Sequence, residues 1–492
     1  MSPIKIKGVG ETVSELLRRA GHVISLPCGG RGICGGCAVL ASGKLDLPSE
    51  KEKSILDRKE FKPVKNFEPR LACMSRVLGD AEIIVLNSEK TTASPVFLPD
   101  FDGNEQFALG IAADIGVTAI ILELHNLTDK VLLSTKTSRN PQMMFSEDVL
   151  NRITYSQQVN SDELHNELIK KLWEMIEASL LEAKVFAEDV RRVVFTGSTF
   201  MLCSTLGLNP AAHESLFGES YPASELFPPL SHAEIYLPRC VNANIGADLT
   251  CGLYAADCLN KPGSSLFIDA GTNIDLVLVR EKKIICASAA ANYVSESPNI
   301  TMGIAAEAGA VQHVRHTGYG VMCDTISDAP PAGICGSGLI SAASLLLDMG
   351  ELDETGYLET DPFELGTSRV HIHGRNIRGL QSAKSAVAAG ISVLLESEDI
   401  SMDTPERLIL AGMFGDSVDA GEAAAIGLIP TALKDKTTFI GNAALLGAVL
   451  CLYSQNTRQR ICRMASEAVE FPLMENPKFT ELQKERMAFK PF

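Results

Sequence analysis

Long apolar runs are missing from this sequence of 492 residues. None reaches the roughly 18 residues that a membrane-spanning helix needs. The longest candidates, such as Leu266–Val279, are broken by Asp, Gly and Asn. The opening segment MSPIKIKGVG lacks the apolar stretch of a secretory signal. The expectation is a cytoplasmic protein with no membrane partner. Basic charge is also scarce: 44 Lys and Arg stand against 61 Asp and Glu, for a net of −17. That balance excludes the broad basic face by which proteins grip nucleic acid or anionic lipid. A second C-x-x-C is absent too. Thirteen cysteines in a cytosolic chain are not expected to form disulfides. Apart from one close group they are scattered and read as small buried hydrophobes.

With 46% hydrophobic and 21% charged residues, the chain reads as globular. Its length exceeds what one hydrophobic core supports, which predicts two or three domains. The close cysteine group lies in HVISLPCGGRGICGGC (22–37), where Cys28, Cys34 and Cys37 follow C-x5-C-x2-C. A fourth, Cys73, stands in RLACMSRV ahead of the apolar stretch Ala81–Leu86. Iron needs thiolates converging from several directions, which a loop supplies better than a helix. Gly29, Gly30, Gly32, Gly35 and Gly36 let the loop wrap closely and leave N–H groups for the sulfurs. Zinc is the alternative occupant, although zinc ribbons pair two C-x-x-C knuckles. The spacing is one residue longer in its first gap than the plant ferredoxin pattern. Residues 1–86 resemble a plant-type ferredoxin domain, which implies a [2Fe-2S] cluster on Cys28, Cys34, Cys37 and Cys73. Residues 87–104, NSEKTTASPVFLPDFDGN, lack periodicity and read as a flexible linker.

Two later segments repeat one another. FALGIAADIGVTAIILEL (107–124) and SLFIDAGTNIDLVLV (265–279) each read apolar strand, D-x-G-x-[TN], apolar strand. Such a pair suggests a duplicated domain half. Gly116 and Gly271 permit tight turns whose N–H groups can face a phosphate. Asp114 and Asp269 can hold Mg²⁺ through water or orient an attacking water, while Thr118, Thr272 and Asn273 can bond phosphate oxygens. Either hairpin alone could be an ordinary β-turn. VNANIGADLTCGLYAADC (241–258) and FIGNAALLGAVLC (439–451) are small-residue helices that, singly, read as core packing. LILAGMFGDSVDAG (408–421) is a strand ending in a glycine turn at Gly412 and Gly415, suited to close approach by an adenosine. GICGSGLISAASLLLDMG (333–350) places Gly336, Ser337 and Gly338 at a helix mouth. There they either touch a nucleotide or merely cap the helix.

The order of these segments resembles the superfamily of actin, sugar kinases and heat-shock ATPases. That resemblance implies two lobes (105–262 and 263–492) with a duplicated ribonuclease H-like fold, clamping ATP and Mg²⁺. The expected fold is therefore an α+β, β-grasp ferredoxin-like domain followed by a two-lobed α/β ATPase domain. The fusion itself resembles the reductive activators of corrinoid proteins. The motifs are CGGRGICGGC, RLAC, DIGVT, DAGTN, GICGSG, LILAGMFG, IGLIP, IGNAALLGA and ENPKFTELQKERMAF. It implies ATP-dependent transfer of one electron from the cluster to an inactive Co(II) corrinoid. The partners implied are a corrinoid protein of a methyltransferase system and an external low-potential donor, with a homodimer formed through the ATPase domain.

The sequence departs from that pattern in three places. Val117 stands where Thr is expected, and Ile274-Asp275 where Gly-Glu is usual. Longer members carry a further middle segment, whereas here the linker runs almost straight into Phe107. Competing expectations are an electron-donating ATPase for another low-potential enzyme, a redox-sensing nucleotide-binding module, and a small-molecule kinase. The last leaves the cysteine loop without a role.

Overall fold

The computed structural model describes residues 3–19, 37–56, 64–85, 98–105, 107–146, 149–158, 161–208, 216–260, 263–271, 273–290, 301–304, 306–317, 320–366, 368–412 and 417–492. Cys28, Cys34, Thr272, Gly415 and most of the expected linker lie outside the described residues.

The N-terminal domain runs β1 (Ile4–Lys7), α1 (Val13–Arg19), β2 (Ala38–Leu45), α2 (Glu50–Leu56), β3 (Glu68–Leu71) and β4 (Val77–Val85). Its sheet has the order β1-β4-β2-β3, and each described pairing is antiparallel. Alternating Val39, Ala41, Ala81 and Ile83 turn inward onto Val13 and Leu17 of α1. A buried Arg70 braces the turn that carries Cys73. Its Nε donates to Glu52 Oε1 at 2.9 Å, and Leu71 N and Ser75 Oγ donate to the same oxygen. The buried ion pair is thus satisfied by further hydrogen bonds, the condition under which such pairs hold structure.

The first lobe contains β5 (Leu109–Ile115), β6 (Ala119–Asn126), β7 (Val131–Arg139), α3 (Val149–Gln158), α4 (Ser161–Ala183), β8 (Val190–Gly197), α5 (Thr199–Thr205), β9 (Glu219–Pro222), β10 (Glu234–Leu237) and α6 (Ala247–Ala255). The second begins with β11 (Ser265–Ala270), β12 (Asn273–Arg280) and β13 (Lys283–Ala290). An insert follows: β14 (Ala310–Thr317), β15 (Gly320–Thr325), β16 (Gly333–Ile334), α7 (Gly336–Met349), β17 (Phe363–Glu364) and β18 (His371–Ile372). The lobe closes with α8 (Gly374–Ser397), β19 (Arg407–Gly412), α9 (Ala420–Ala425), β20 (Thr437–Phe439), α10 (Ala443–Tyr453), α11 (Gln455–Glu467), β21 (Ala468–Glu470) and α12 (Pro477–Glu485).

The duplication is explicit in the strand order. One sheet runs β7-β6-β5-β8-β10 and the other β13-β12-β11-β19-β20, with β9 and β21 added at opposite ends. In both, the first three strands in sequence pair antiparallel, and the later two run parallel to the first. The mixed α/β class expected for the C-terminal part is therefore observed.

Each sheet covers one core of its own, but a third core belongs to both lobes. Ala108, Ala112 and Val194 from one side and Phe267, Val277 and Ile409 from the other close on α6 and α10. Small residues let these helices touch: a Cβ on Gly447 would lie 2.2 Å from Cys251 O. The chain's end is tied to α8, where the buried Lys384 Nζ donates to Arg486 O and Ala488 O at 2.6 Å each.

One boundary differs from the sequence reading. The end of the expected flexible linker is fixed: Leu98 and Phe101 pack on the shared core, and Asp102 binds Arg192 and the start of α11. Its two apolar anchors, Leu98 and Phe101, and the ion-paired Asp102 are spaced too irregularly to register as an element.

Candidate functional site

Strands β5 and β11 end at equivalent places, and each delivers an aspartate to the cleft. Asp114 is the penultimate residue of β5, and Asp269 is the penultimate residue of β11. The turn after β5 is gripped from behind. Asn140 Nδ2 donates to Gly116 O at 2.8 Å, Asn140 N to Thr118 O at 2.8 Å, and Arg152 Nη1 to Val117 O at 2.9 Å. Three donors thus hold three consecutive carbonyls of the turn. Val117 itself is 8% exposed and belongs to the first lobe's core.

In the second hairpin Gly271 N donates to Asn273 O at 2.8 Å, and the Asn273 side chain is exposed. Gly412 has φ +90°, and a Cβ there would lie 2.4 Å from Ala270 O and 2.6 Å from Asp269 Oδ1. Only glycine fits against the aspartate in that backbone region. Gly412, which opens the turn expected to face adenosine, is thereby set beside Asp269.

Two residues not expected at the site join these aspartates: Asp275, seen in the sequence only as a departure from the family pattern, and Asp248. Asp275 on β12 is paired in register with Asp269 and only 9% exposed, and its Oδ1 has no hydrogen-bond partner among the described residues. Asp248 lies in the first turn of α6, where an acidic residue reads simply as a favourable helix start. Burial raises the proton affinity of all four carboxylates, and Asp248 adds to the rise of the other three. Burial pushes Asp114 up to about 7, against the pull of an Asn442 hydrogen bond and with the help of Asp248. Burial carries Asp269 well above the carboxylate range, with Asp248, Asp275 and Asp114 adding to it. Asp275 rises to about 7 and Asp248 to about 6, again chiefly through burial.

Asn442 is the third residue missed. As the N-cap of α10 it accepts from Leu445 N at 2.8 Å, which is what its sequence context suggests. Its Nδ2 also donates to Asp114 Oδ2 at 2.7 Å, across from the other lobe. That second bond is tertiary and leaves no local signature.

The glycine turn at α7 behaves differently. Gly336, Ser337 and Gly338 are all buried, Ser337 Oγ lies 3.3 Å from Cys335 Sγ, and a Cβ on Gly338 would meet Val311 O at 2.0 Å. These residues pack α7 closely on β14.

In the N-terminal domain Cys37 Sγ and Cys73 Sγ are 3.2 Å apart. Their hydrogen bond draws the Cys37 thiol down to about 6 despite its burial. Two thiolates on one tetrahedral metal at about 2.3 Å stand about 3.8 Å apart. The pair therefore needs to open by only a few tenths of an ångström to share an ion. Among the described residues no group of three or more His, Cys, Asp or Glu side chains is arranged to hold a metal ion.

The RACo middle region matches residues 109–261, and the family described as the C-terminal domain of RACo, the ASKHA domain, matches residues 263–491. The chain belongs to the RACo family. The match to the middle region coincides with the first lobe, from β5 to α6. A curated relative, the corrinoid activation enzyme RamQ of Eubacterium limosum, is 26% identical over 78% of this chain and 71% of its own length. The [Co(II) methylated amine-specific corrinoid protein] reductase of Methanosarcina barkeri is 26% identical over 68% of each chain. A solved structure titled reductive activator for corrinoid, iron-sulfur protein superposes with a TM-score of 0.75. It covers 99% of this chain and 98% of that one at 21% identity, so the RACo fold extends over both parts of the molecule.

Proposed function

We propose that this RACo chain is an ATP-dependent reductive activator that returns an inactive Co(II) corrinoid, held by a partner protein, to Co(I). One observation carries the reading. A chain of this family joins a paired-thiol domain to two lobes whose aspartates converge from equivalent strand ends. Cys28, Cys34, Cys37 and Cys73 would hold a [2Fe-2S] cluster, which supplies one low-potential electron when bound. An external low-potential donor reloads it.

The cleft residues bind and orient the nucleotide. Asp114 and Asp269 would hold Mg²⁺, since their mutual repulsion favours a cation between the lobes. Backbone N–H groups of the two turns, with Thr118, Thr272 and Asn273, face the phosphates. The turn from Gly412 through Gly415 meets the adenosine. Every 59 mV of uphill one-electron transfer costs about 1.4 kcal/mol, a magnitude within reach of nucleotide-driven lobe closure. The protein works in the cytoplasm as a homodimer formed through the ATPase domain.

The test mixes the reduced full-length protein with a Co(II) corrinoid protein, with and without ATP and Mg²⁺, and follows Co(I) absorbance. Co(I) formation that requires ATP is the expected result. Reduction without ATP dependence, or none at all with an intact cluster, would sink the proposal. Cys34→Ala should abolish the cluster colour and reduction while sparing ATP binding. Stoichiometric zinc without sulfide in the native protein would overturn the cluster.

A further inference from the structure

The helix α10 has its two ends in different business. At its start, the N-cap Asn442 donates to Asp114 in the nucleotide cleft. At its end, Tyr453 O accepts from Asp102 N at 3.1 Å, and Gln455 N, opening α11, donates to Asp102 Oδ2 at 2.5 Å. The helix has 11 residues, so these attachments are separated by about 16 Å of rigid rod.

Asp102 is also held by the first lobe. Arg192 of β8 donates through Nη2 to Asp102 Oδ1 at 2.5 Å and through Nη1 to Leu452 O at 2.8 Å. The same guanidinium lies 4.7 Å from the centroid of the Phe101 ring. One carboxylate thus ties together the first lobe, the α10–α11 joint of the second, and the segment that leads back to the cysteine-bearing domain. Burial works against its charge, but Gln455 N–H and Arg192 outweigh it and hold the carboxyl below its ordinary range.

A few residues earlier, where Leu98 also packs on the shared core, hydrogen bonds tie the segment to the first lobe. Lys130 Nζ donates to Leu98 O at 3.1 Å and to Asp100 Oδ1 at 2.7 Å, both from the turn between β6 and β7. The two anchors therefore differ in kind: Lys130 fixes the segment, whereas Asp102 reads the relation between the lobes.

We propose that Asp102 and Arg192 are positioning residues that couple the nucleotide cleft, through α10, to the tether of the cysteine-bearing domain. Closure around a nucleotide moves Asn442 with Asp114 and shifts α10 along its seam with α6. Interface helices shift by about 1–2 Å in such transitions. A shift of that size is enough to break hydrogen bonds of this length. The tether end is released or re-seated accordingly, and the reach of the domain it carries depends on what the cleft holds. Coupling of this kind is reciprocal, so the state of the tether alters nucleotide affinity by the same factor. The inference deepens the proposed function and rests on it for its purpose, though not for its physics.

The experiment compares the wild-type full chain with Asp102→Asn and Lys130→Met. Amide hydrogen exchange across residues 98–105 is read with and without a non-hydrolysable ATP analogue and Mg²⁺. Wild type and Lys130→Met should change protection there on the order of tenfold when the analogue binds, and Asp102→Asn should not respond. In Asp102→Asn, kcat for ATP hydrolysis should stay within about twofold while KM shifts by up to that tenfold factor. Its ATP-stimulated cobalt reduction should fall toward the unstimulated rate. Unchanged wild-type exchange, a persisting response in Asp102→Asn, or equal loss in Lys130→Met would each overturn the coupling. A tether that responds to nucleotide in a protein that forms no Co(I) would sink the functional reading and leave the coupling standing.

Discussion

At the residue scale the cleft is organised around carboxylates that oppose one another. Asp269 costs free energy at neutral pH whether it takes up a proton or keeps its charge beside Asp248, Asp275 and Asp114. Asp269→Asn should therefore raise the melting temperature of the nucleotide-free protein by about 2–4 °C. It should also reduce ATP hydrolysis by much more than roughly tenfold, with an unaltered cluster spectrum. A scanning calorimetry trace showing destabilisation would contradict this trade of stability for function. Asp114 and Asp269 were legible because a repeated D-x-G-x-[TN] hairpin is a local pattern. Asp248 and Asn442 were not. Each is what a helix start ordinarily carries, and only the return of the other lobe gives it a second partner. The motif around Ser337 is equally local and visible, and its hydroxyl lies buried 3.3 Å from Cys335 Sγ.

At the element scale, α6 and α10 matter more than their plain composition suggests. Each reads as a small-residue core helix, and packing is indeed what the small residues serve. Gly447 sets their separation, since a side chain would drive into the backbone at Cys251, where nothing can rotate away. Gly447→Val should destabilise the protein by about 1–3 kcal/mol in chemical denaturation. Because Asn442 stands at the same helix's start, the variant should also weaken ATP binding beyond what lost stability explains. Wild-type ATP affinity in that variant would show that the helices do not set the cleft. The hairpins alone foreshadowed the pairing of β5 with β6 and of β11 with β12, while the two-lobed fold was what the resemblance implied. The fixed segment 98–105 was hidden, because its anchors lie in α11, β8 and the β6–β7 turn, far away in sequence.

For the whole molecule, pH should act through the cleft. Between the unfolded carboxylate value and about 7, the folded protein binds protons on Asp114 and Asp275 that the unfolded chain has released. Nucleotide-free stability contributed by these groups therefore falls as pH rises across that window. Mg²⁺ with ATP binds the deprotonated form, so affinity should rise through pH 7 and protons should be released on binding. The thermal shift produced by Mg²⁺ and ATP should be larger at pH 8 than at pH 6, and chelating Mg²⁺ should abolish the difference. A shift independent of pH would mean that the carboxylates do not face the metal.

The shared core between the sheets bears on how this protein can be dissected. The chain invites a cut near residue 262, where the family's two regions meet. A fragment ending there would keep α6 yet lose α10 and Phe267, and the other fragment would expose the matching face of Phe267, Val277 and Ile409. Each piece would carry into water an apolar surface that the intact chain never shows. Such fragments should be recovered together as a soluble pair when co-expressed, and separately as aggregates.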